Sequence, residues 1–382
     1  MRNLPKLHSV ALLLFFLSQS FSFVFPLMSL LLLKRGTISD SQVLLIVSAA
    51  YFISGIFQPY FGKKLDSGGK KIIFLALVFN LCGVWGFLQN SENLYAVIAT
   101  LGFFLIGISI LMMAGATIVD GFAPENKKTK AYSTYYGLSN LGLGLSALIA
   151  NRFLEQFEST LLILDAVTTS LFGILCLIYF GQKKPPNLSN TKQVQSSVSS
   201  KSRRAWVSVQ VLLFYIVMLS HVGVFPILYK KLGLDPASLM TEMFATNNFI
   251  VAIVSFFLAS KLSKISYSQR TVIGGVALAV GHSVLPFIPP NFYHILVTAT
   301  WSAGEAILYP ITAHLIYRAC GPENAGYAAG LKSFLLRGGF VIAPLLGLIV
   351  AKNDKLIFSL IFGILPLIAT IFSRTYFKEQ HL

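Results

Sequence analysis

Residues 292–317 read FYHILVTATWSAGEAILYPITAHLIY, an apolar run that holds a single carboxylate, Glu305, near its middle. The run is long enough to cross a bilayer as a helix, which takes roughly 20 apolar residues. A charge at the centre of such a helix costs about 2.5–3.5 kcal/mol on insertion scales. We therefore expect Glu305 to face a cavity, a partner or a proton path; a role in helix packing alone is the alternative.

The composition of the whole chain agrees with that of this run. Hydrophobic residues make up 55% of the 382 residues and charged residues only 12%, which indicates a polytopic membrane protein. The net charge of +16 does not indicate nucleic-acid binding, because the basic residues are spread over alternate short loops. The three cysteines have neither paired nor metal-type spacing, so they do not indicate a disulfide framework or a metal site.

Twelve apolar spans can be drawn along the chain, and each predicts a transmembrane helix. They cover residues 8–33, 42–62, 71–89, 94–119, 132–154, 161–180, 206–229, 237–260, 269–288, 292–317, 327–350 and 355–373. We interpret the first span as a retained helix, with a signal peptide as the alternative. The segments on the same side as the N-terminus carry about three times as many Lys and Arg as the others, which places both termini in the cytoplasm.

Three short patterns recur at a nearly constant offset. The pairs are Ser20–Leu27 with Ser220–Ile227, 124–126 with 322–324, and 142–150 with 339–347. Such internal repetition predicts two pseudo-symmetric six-helix bundles, residues 1–180 and 206–382, with a site between them near the midplane. The polar, basic segment 181–205 reads as a flexible cytoplasmic linker between the bundles.

The loop after the second span, residues 62–71, reads GKKLDSGGKK. It fits the pattern G-x-x-x-D-x-x-G-[RK]-[RK], by which the chain resembles the major facilitator superfamily over nearly its whole length. The resemblance implies a cytoplasmic gate that latches the two halves together, formed by Gly62, Asp66, Gly69, Lys70 and Lys71. Gly62 permits close helix approach, Gly69 permits a tight turn, and Asp66 suits a helix N-terminus. The alternative is an ordinary basic loop with turn glycines.

The tenth span adds to this resemblance. Gly304-Glu305, Tyr309-Pro310 and then residues 322–326, PENAG, look like the corresponding stretches of the family's proton-coupled multidrug exporters and peptide transporters. The chain is most similar to the proton-coupled multidrug and metabolite exporter branch. Because the first span holds no acid and the fourth holds no Arg or Lys, Glu305 is the remaining candidate for proton coupling.

We expect the polar residues of the spans to line a cavity between the halves. The candidate proton and substrate site comprises Glu305, Arg337, Gln19, His221, Asn247, Asn248 and Tyr309. Arg337 lies at a depth similar to that of Glu305, which predicts a Glu305–Arg337 pair; a nearby arginine favours the ionised carboxylate, and burial favours the neutral acid. Tyr309 would contribute to an aromatic wall.

Each candidate also has a simpler interpretation. Arg337 can snorkel or bind backbone carbonyls, and the polar residues can form hydrogen bonds between helices without touching a substrate. Asp165 and Glu242 lie near outer helix ends, where we expect water to solvate them.

No phosphate-binding G-x-x-x-x-G-K-[ST] loop, metal-ligand spacing or G-x-S-x-G elbow occurs, so the sequence predicts neither an enzyme nor a cofactor. It predicts a monomeric, multi-pass secondary transporter embedded in the lipid bilayer of the inner (cytoplasmic) membrane. This transporter would move a small-molecule substrate by alternating access, with protons as the coupling ion. The resemblance implies proton-coupled export of an apolar or amphipathic compound. The alternatives are transport of a polar metabolite, such as a sugar, a peptide or a siderophore, and a membrane sensor that transports nothing.

Overall fold

The computed structural model describes residues 4–22, 32, 39–66, 69–89, 93–122, 128–182, 201–262, 264–321, 325–350 and 355–378. All regular structure in these ranges is helical. The helices before residue 183 are α1 Leu4–Ser20, α2 Asp40–Ile56, α3 Gln58–Asp66, α4 Lys70–Gln89, α5 Leu94–Phe122 and α6 Lys128–Gln182. Those after residue 200 are α7 Lys201–Met218, α8 Ser220–Gly223, α9 Phe225–Lys231, α10 Pro236–Ile253, α11 Ala259–Leu262, α12 Tyr267–Val284, α13 Phe292–Cys320, α14 Ala325–Val350 and α15 Lys355–Lys378.

Nine helices in the described part are long and apolar enough to cross a membrane. They correspond to nine of the twelve predicted spans; the fifth and tenth spans are also helical where they are described, and the first is helical up to Ser20. Phe74, Trp85 and Phe257 expose 62%, 67% and 71% of their surface, as expected for side chains that face lipid. The all-helical membrane architecture is therefore confirmed.

Local sequence explains several helix ends. Ser39 and Ser266 cap α2 and α12 in capping boxes with Gln42 and Gln269, because each serine hydroxyl accepts from the third backbone N–H of its helix. Gly321, with φ of 86°, follows α13 in a left-handed conformation that glycine adopts without strain.

Two predicted boundaries differ from those observed. The helix α6 continues to Gln182 and α7 begins at Lys201, so both helices extend into the predicted linker 181–205; residues 201–204 contain no Gly or Pro that would stop a helix. A kink at Phe157, with φ of −133° and ψ of 31°, divides α6 into the fifth and sixth spans.

The seventh span is interrupted at the repeated Ser-Val-Phe-Pro pattern. α7 ends at Met218 and the short α8 and α9 follow, with Pro226 in the first turn of α9, where its missing N–H does not cost a helical bond. α1 ends at Ser20, the position in the first half that corresponds to Ser220. In both halves, therefore, the first long helix ends within two residues of the same repeat position.

Two seams join helices before residue 183 to helices after residue 200. In the first, α14 packs antiparallel to α2 and α3: Ser48 Oγ donates to the Val341 carbonyl at 3.2 Å, and a Cβ on Gly62 would overlap the Gly326 carbonyl oxygen. In the second, the first part of α6 packs against α10. A Cβ on Gly144 would lie 3.3 Å from Asn248 Cβ, because small residues let helices approach closely.

Asp165 corrects one expectation. It lies in α6 and is fully buried, and Thr169 Oγ1 donates to its Oδ1 at 3.2 Å. Its proximity to a helix end in the sequence did not expose it to water, because the neighbouring helices cover that side of α6.

Candidate functional site

Glu305 lies where α6, α10 and α13 meet. Only 8% of its surface is exposed. Tyr136 Oη on α6 donates to Oε1 at 3.3 Å, and Asn247 Nδ2 on α10 donates to Oε2 at 3.0 Å. Asn247 Nδ2 also lies 3.1 Å from Ser302 Oγ, one turn before Glu305 on α13. The carboxylate thus bridges a helix of the first half and two helices of the second.

Aromatic rings cover one side of this carboxylate. The rings of Tyr136 and Tyr309 are stacked, with centroids 4.2 Å apart and an angle of 4° between their planes. Tyr215 on α7 lies 6.2 Å from Tyr309 and hydrogen-bonds Thr312 at 2.9 Å. Lys332 Nζ on α14 lies 3.9 Å from the centre of the Tyr309 ring, within the range of a cation–π contact. This arrangement combines an aromatic surface, an acid and a cation.

The spacing of polar residues along α13 explains how it supplies so much of the site. At about 100° per residue, positions three, four or seven apart fall on one face of a helix. The buried polar residues of α13 follow that spacing: His294, Thr298, Ser302, Glu305 and Thr312. This face points into the protein along the whole helix.

The predicted Glu305–Arg337 pair is wrong. Arg337 is 2% exposed and lies on the opposite seam, where its Nη2 donates to Ser109 Oγ on α5. Its guanidinium carbon lies 5.1 Å from the centre of the Tyr51 ring on α2, and no ion pair joins it to Glu305. Lys332 is the residue of α14 that faces Tyr309, and five further residues rotate Arg337 about 140° away from that face. Similar depth in the membrane did not place the two charges on facing surfaces.

The other predicted polar residues lie around this site without touching Glu305. Gln19 is buried and accepts from Ser139 Oγ at 3.1 Å. Asn248 is buried and donates to the Phe244 carbonyl of its own helix at 2.7 Å. The His221 ring lies 5.2 Å from the ring of Trp301, one turn before Glu305. These contacts fit the simpler interpretation of bonding between and within helices.

Sequence reasoning missed several residues of the site, Tyr215 among them. Tyr136, Ser302 and Lys332 contact Glu305, Asn247 or Tyr309 in the structure. Ser302 was the most accessible to prediction, because it lies three residues before Glu305 on the same helical face. Within the described residues, no group of three or more His, Cys, Asp or Glu side chains comes together as a metal site.

The residues of the predicted gate motif lie at one end of the first seam. Gly62 contacts Gly326 and Gly330 of α14, and Gly69 has a φ of 53°, which allows the tight turn expected there. Lys70 and Lys71 are exposed. Asp66 ends α3, and its side chain lies outside the described residues. The role of these residues as a gate stays a prediction.

Comparisons with known proteins identify the family and the fold. The family model described as Major Facilitator Superfamily matches residues 10–344. A multidrug resistance protein, MdtG of Yersinia enterocolitica, is 25% identical over 89% of this chain and 84% of its own. The mouse lysosomal dipeptide transporter MFSD1 is 28% identical over 44% of this chain and only 37% of its own length. The Escherichia coli fucose:proton symporter FucP has a TM-score of 0.68 at 15% identity and covers 98% of both chains, which shows a common fold.

Proposed function

Because the chain belongs to the Major Facilitator Superfamily, whose members are transporters and not enzymes, we propose that it exports a small apolar or amphipathic compound in exchange for protons. Glu305 is the group that takes up and releases the proton in this proposal. Alternating access moves the two bundles, residues 1–180 and 206–382, about a central site. The protein acts as a monomer in the inner membrane, with both termini in the cytoplasm.

The observation that carries the proposal is the set of partners around Glu305. Both bonds to its oxygens come from neutral donors, Tyr136 and Asn247, and no ion pair fixes its charge in the part of the chain that the structure describes. An ionised carboxylate only accepts hydrogen bonds, whereas a protonated one must also donate from one oxygen. Proton uptake therefore rearranges one of these two bonds, and the bond from Tyr136 joins α6 to α13, which belong to different halves.

The aromatic surface supports an apolar or amphipathic substrate. The stacked rings of Tyr136 and Tyr309 offer flat apolar area beside a single acid, a combination suited to a lipophilic compound that carries a positive or polar group. The name of MdtG describes a multidrug resistance protein, which supports export. The name of FucP describes a proton symporter, which supports protons as the coupling ion on this fold.

A second candidate is transport of a small polar metabolite that carries a carboxylate, such as a peptide. The observation that favours it is the presence of two cations between the halves, Lys332 above Tyr309 and Arg337 beside Ser109. Together with Glu305 they provide both signs of charge that a zwitterion requires. The MFSD1 match is to a dipeptide transporter, but it spans less than half of either chain.

Flux into liposomes under an imposed pH gradient tests both candidates. Purified wild type is assayed with lipophilic cations and with dipeptides, and Glu305→Gln is assayed beside it. We expect the gradient to drive flux of one class in wild type, and we expect Glu305→Gln to lose that stimulation while it keeps exchange without a gradient. Equal stimulation in both proteins would remove Glu305 from coupling. The absence of flux for every compound in wild type would favour a sensor that transports nothing.

A further inference from the structure

A surface carboxylate and a buried imidazole meet at the first turn of α13. His294 is 2% exposed, and its Nε2 lies 2.7 Å from Tyr229 Oη at the end of α9. Its Nδ1 lies 3.6 Å from Glu242 Oε1 on α10, whose side chain is 41% exposed. In the predicted orientation this end of α13 faces the outside. Glu242 therefore connects outer water to a histidine that water does not reach directly.

The polar face of α13 leads from this histidine to Glu305. His294, Thr298, Ser302 and Glu305 are each buried and follow one another at intervals of three or four residues. The eleven residues from His294 to Glu305 rise about 16 Å along the helix. Asn247 joins the last two of these positions, since its Nδ2 lies within 3.1 Å of both Ser302 Oγ and Glu305 Oε2.

Midway along this face, two buried polar atoms have no hydrogen-bond partner among the described residues. Thr298 Oγ1 and Trp301 Nε1 are fully buried, and neither forms a hydrogen bond with any described residue. The imidazoles of His221 and His282 interact with the backbone at Met218 and Val217, and their rings lie 5.2 Å and 5.1 Å from the Trp301 ring. A buried polar group without a partner is destabilising, and ordered water is its usual partner.

We propose that ordered water fills this cluster and completes a proton path from the Glu242–His294 pair to Glu305. The inference rests on the proposed role of Glu305 and adds the side from which its proton arrives. His294 takes a proton at Nδ1, on the Glu242 side, and releases one from Nε2 to Tyr229 Oη, which gives up its own proton to the water. Water beside Thr298 and Trp301 passes a proton on, and an O–H bond forms at Glu305, so that protons balance at each step.

The charged and titratable groups at each end are consistent with this direction. Glu242 and Tyr229 face His294, whereas Tyr136 and Tyr309 face Glu305, with Lys332 above Tyr309. A carboxylate at the entrance attracts protons. The cation on the far side of Tyr309 lies beyond the acceptor and not on the path.

A pH jump outside reconstituted vesicles, followed by infrared difference spectroscopy, tests the path. The carboxylic acid band of Glu305 is assigned by its loss in Glu305→Gln. Thr298→Val removes the hydroxyl with little change in shape, and we expect it to slow the appearance of this band at least tenfold without changing its final amplitude. Thr300→Val is the matched control, because Thr300 is exposed on the same helix and its hydroxyl donates to the Leu296 carbonyl.

The outcomes separate the two proposals. An unchanged rate in Thr298→Val would overturn the path and leave the role of Glu305 intact. A wild type without any titrating band that Glu305→Gln removes would overturn both.

Hydroxyl-radical labelling of wild type tests the water itself without any variant. Trp301 is fully buried, so only internal water can produce radicals beside it. We expect Trp301 to be labelled several-fold more, relative to its intrinsic reactivity, than the equally buried Phe358 and Phe362. Equal protection of all three would overturn the hydrated cluster.

Discussion

The seam between α3 and α14 provides the most direct test of movement between the halves. A Cβ on Gly330 would overlap the Gln58 carbonyl oxygen and lie 2.7 Å from Pro59 Cα. Both neighbours are backbone atoms, which cannot rotate aside. Carbon atoms prefer separations of about 3.5–4.0 Å, so Gly330→Ala requires the helices to move apart by about 1 Å.

Overpacking of this kind costs about 1–3 kcal/mol. If the seam opens during transport, that cost applies only to the closed state, and the ratio of open to closed molecules rises about 5- to 150-fold. Gly338→Ala on the same helix is the control. Its new Cβ would lie 3.0 Å from Leu212 Cδ1, the end of a flexible side chain within the same half, and it gains the same helix propensity as Gly330→Ala.

Pulsed electron paramagnetic resonance measures the distance between spin labels at positions 63 and 318, which increases when the seam opens. Both positions are exposed, and they lie on different halves near the ends of α3 and α13. Cys82, Cys176 and Cys320 are replaced first. We expect Gly330→Ala to broaden the distance distribution toward longer values and Gly338→Ala to leave it unchanged. A lower melting temperature with an unchanged distribution would show a fixed packing contact and refute the reasoning.

Two further variants test the interior. Tyr136→Phe keeps the ring stacked on Tyr309 but removes the hydrogen-bond donor to Glu305. Hydrogen bonds to charged groups contribute about 1.5–3 kcal/mol, so we expect proton-driven flux in the liposome assay to fall roughly 10- to 150-fold. Undiminished flux would contradict the bridging role of Tyr136. Arg337→Lys keeps the charge but not the planar guanidinium that reaches Ser109. We expect the free energy of unfolding to fall by about 1–3 kcal/mol, which lowers the melting temperature in detergent. Lys332→Arg is the control, and we expect its melting temperature to be unchanged.

Sequence reasoning predicted the helices better than it predicted the contacts of the site. Apolar runs long enough to cross a bilayer determine where helices form, so each predicted span is mainly helical where it is described, with short interruptions such as those at Leu219 and Val224. The break of the seventh span at Pro226 also had a local cause that the sequence displays.

Contacts between helices depend on rotation about each axis, which hydrophobicity alone does not specify. Arg337 and Lys332 show this most clearly. Both are cations inside one apolar helix, and depth favoured Arg337 as the partner for Glu305. Only the packing of α14 against α2 and α3 shows that Arg337 faces Tyr51 and that Lys332 faces Tyr309.

The separation of these two charges bears on the mechanism. Glu305 bonds Tyr136 across one seam, and Arg337 bonds Ser109 across the other. If the halves rock about the centre, each buried charge loses its partner from the opposite half when its own seam opens. Burial of a charge is unfavourable without such a partner, so each seam prefers to stay closed while its charged group is ionised and bonded. In the proposed mechanism, protonation of Glu305 relieves this constraint at one seam only. We therefore infer that the proton controls the α6–α13 contact. Arg337 cannot be deprotonated in this way. A substrate or water must therefore replace Ser109 as its partner before the other seam separates.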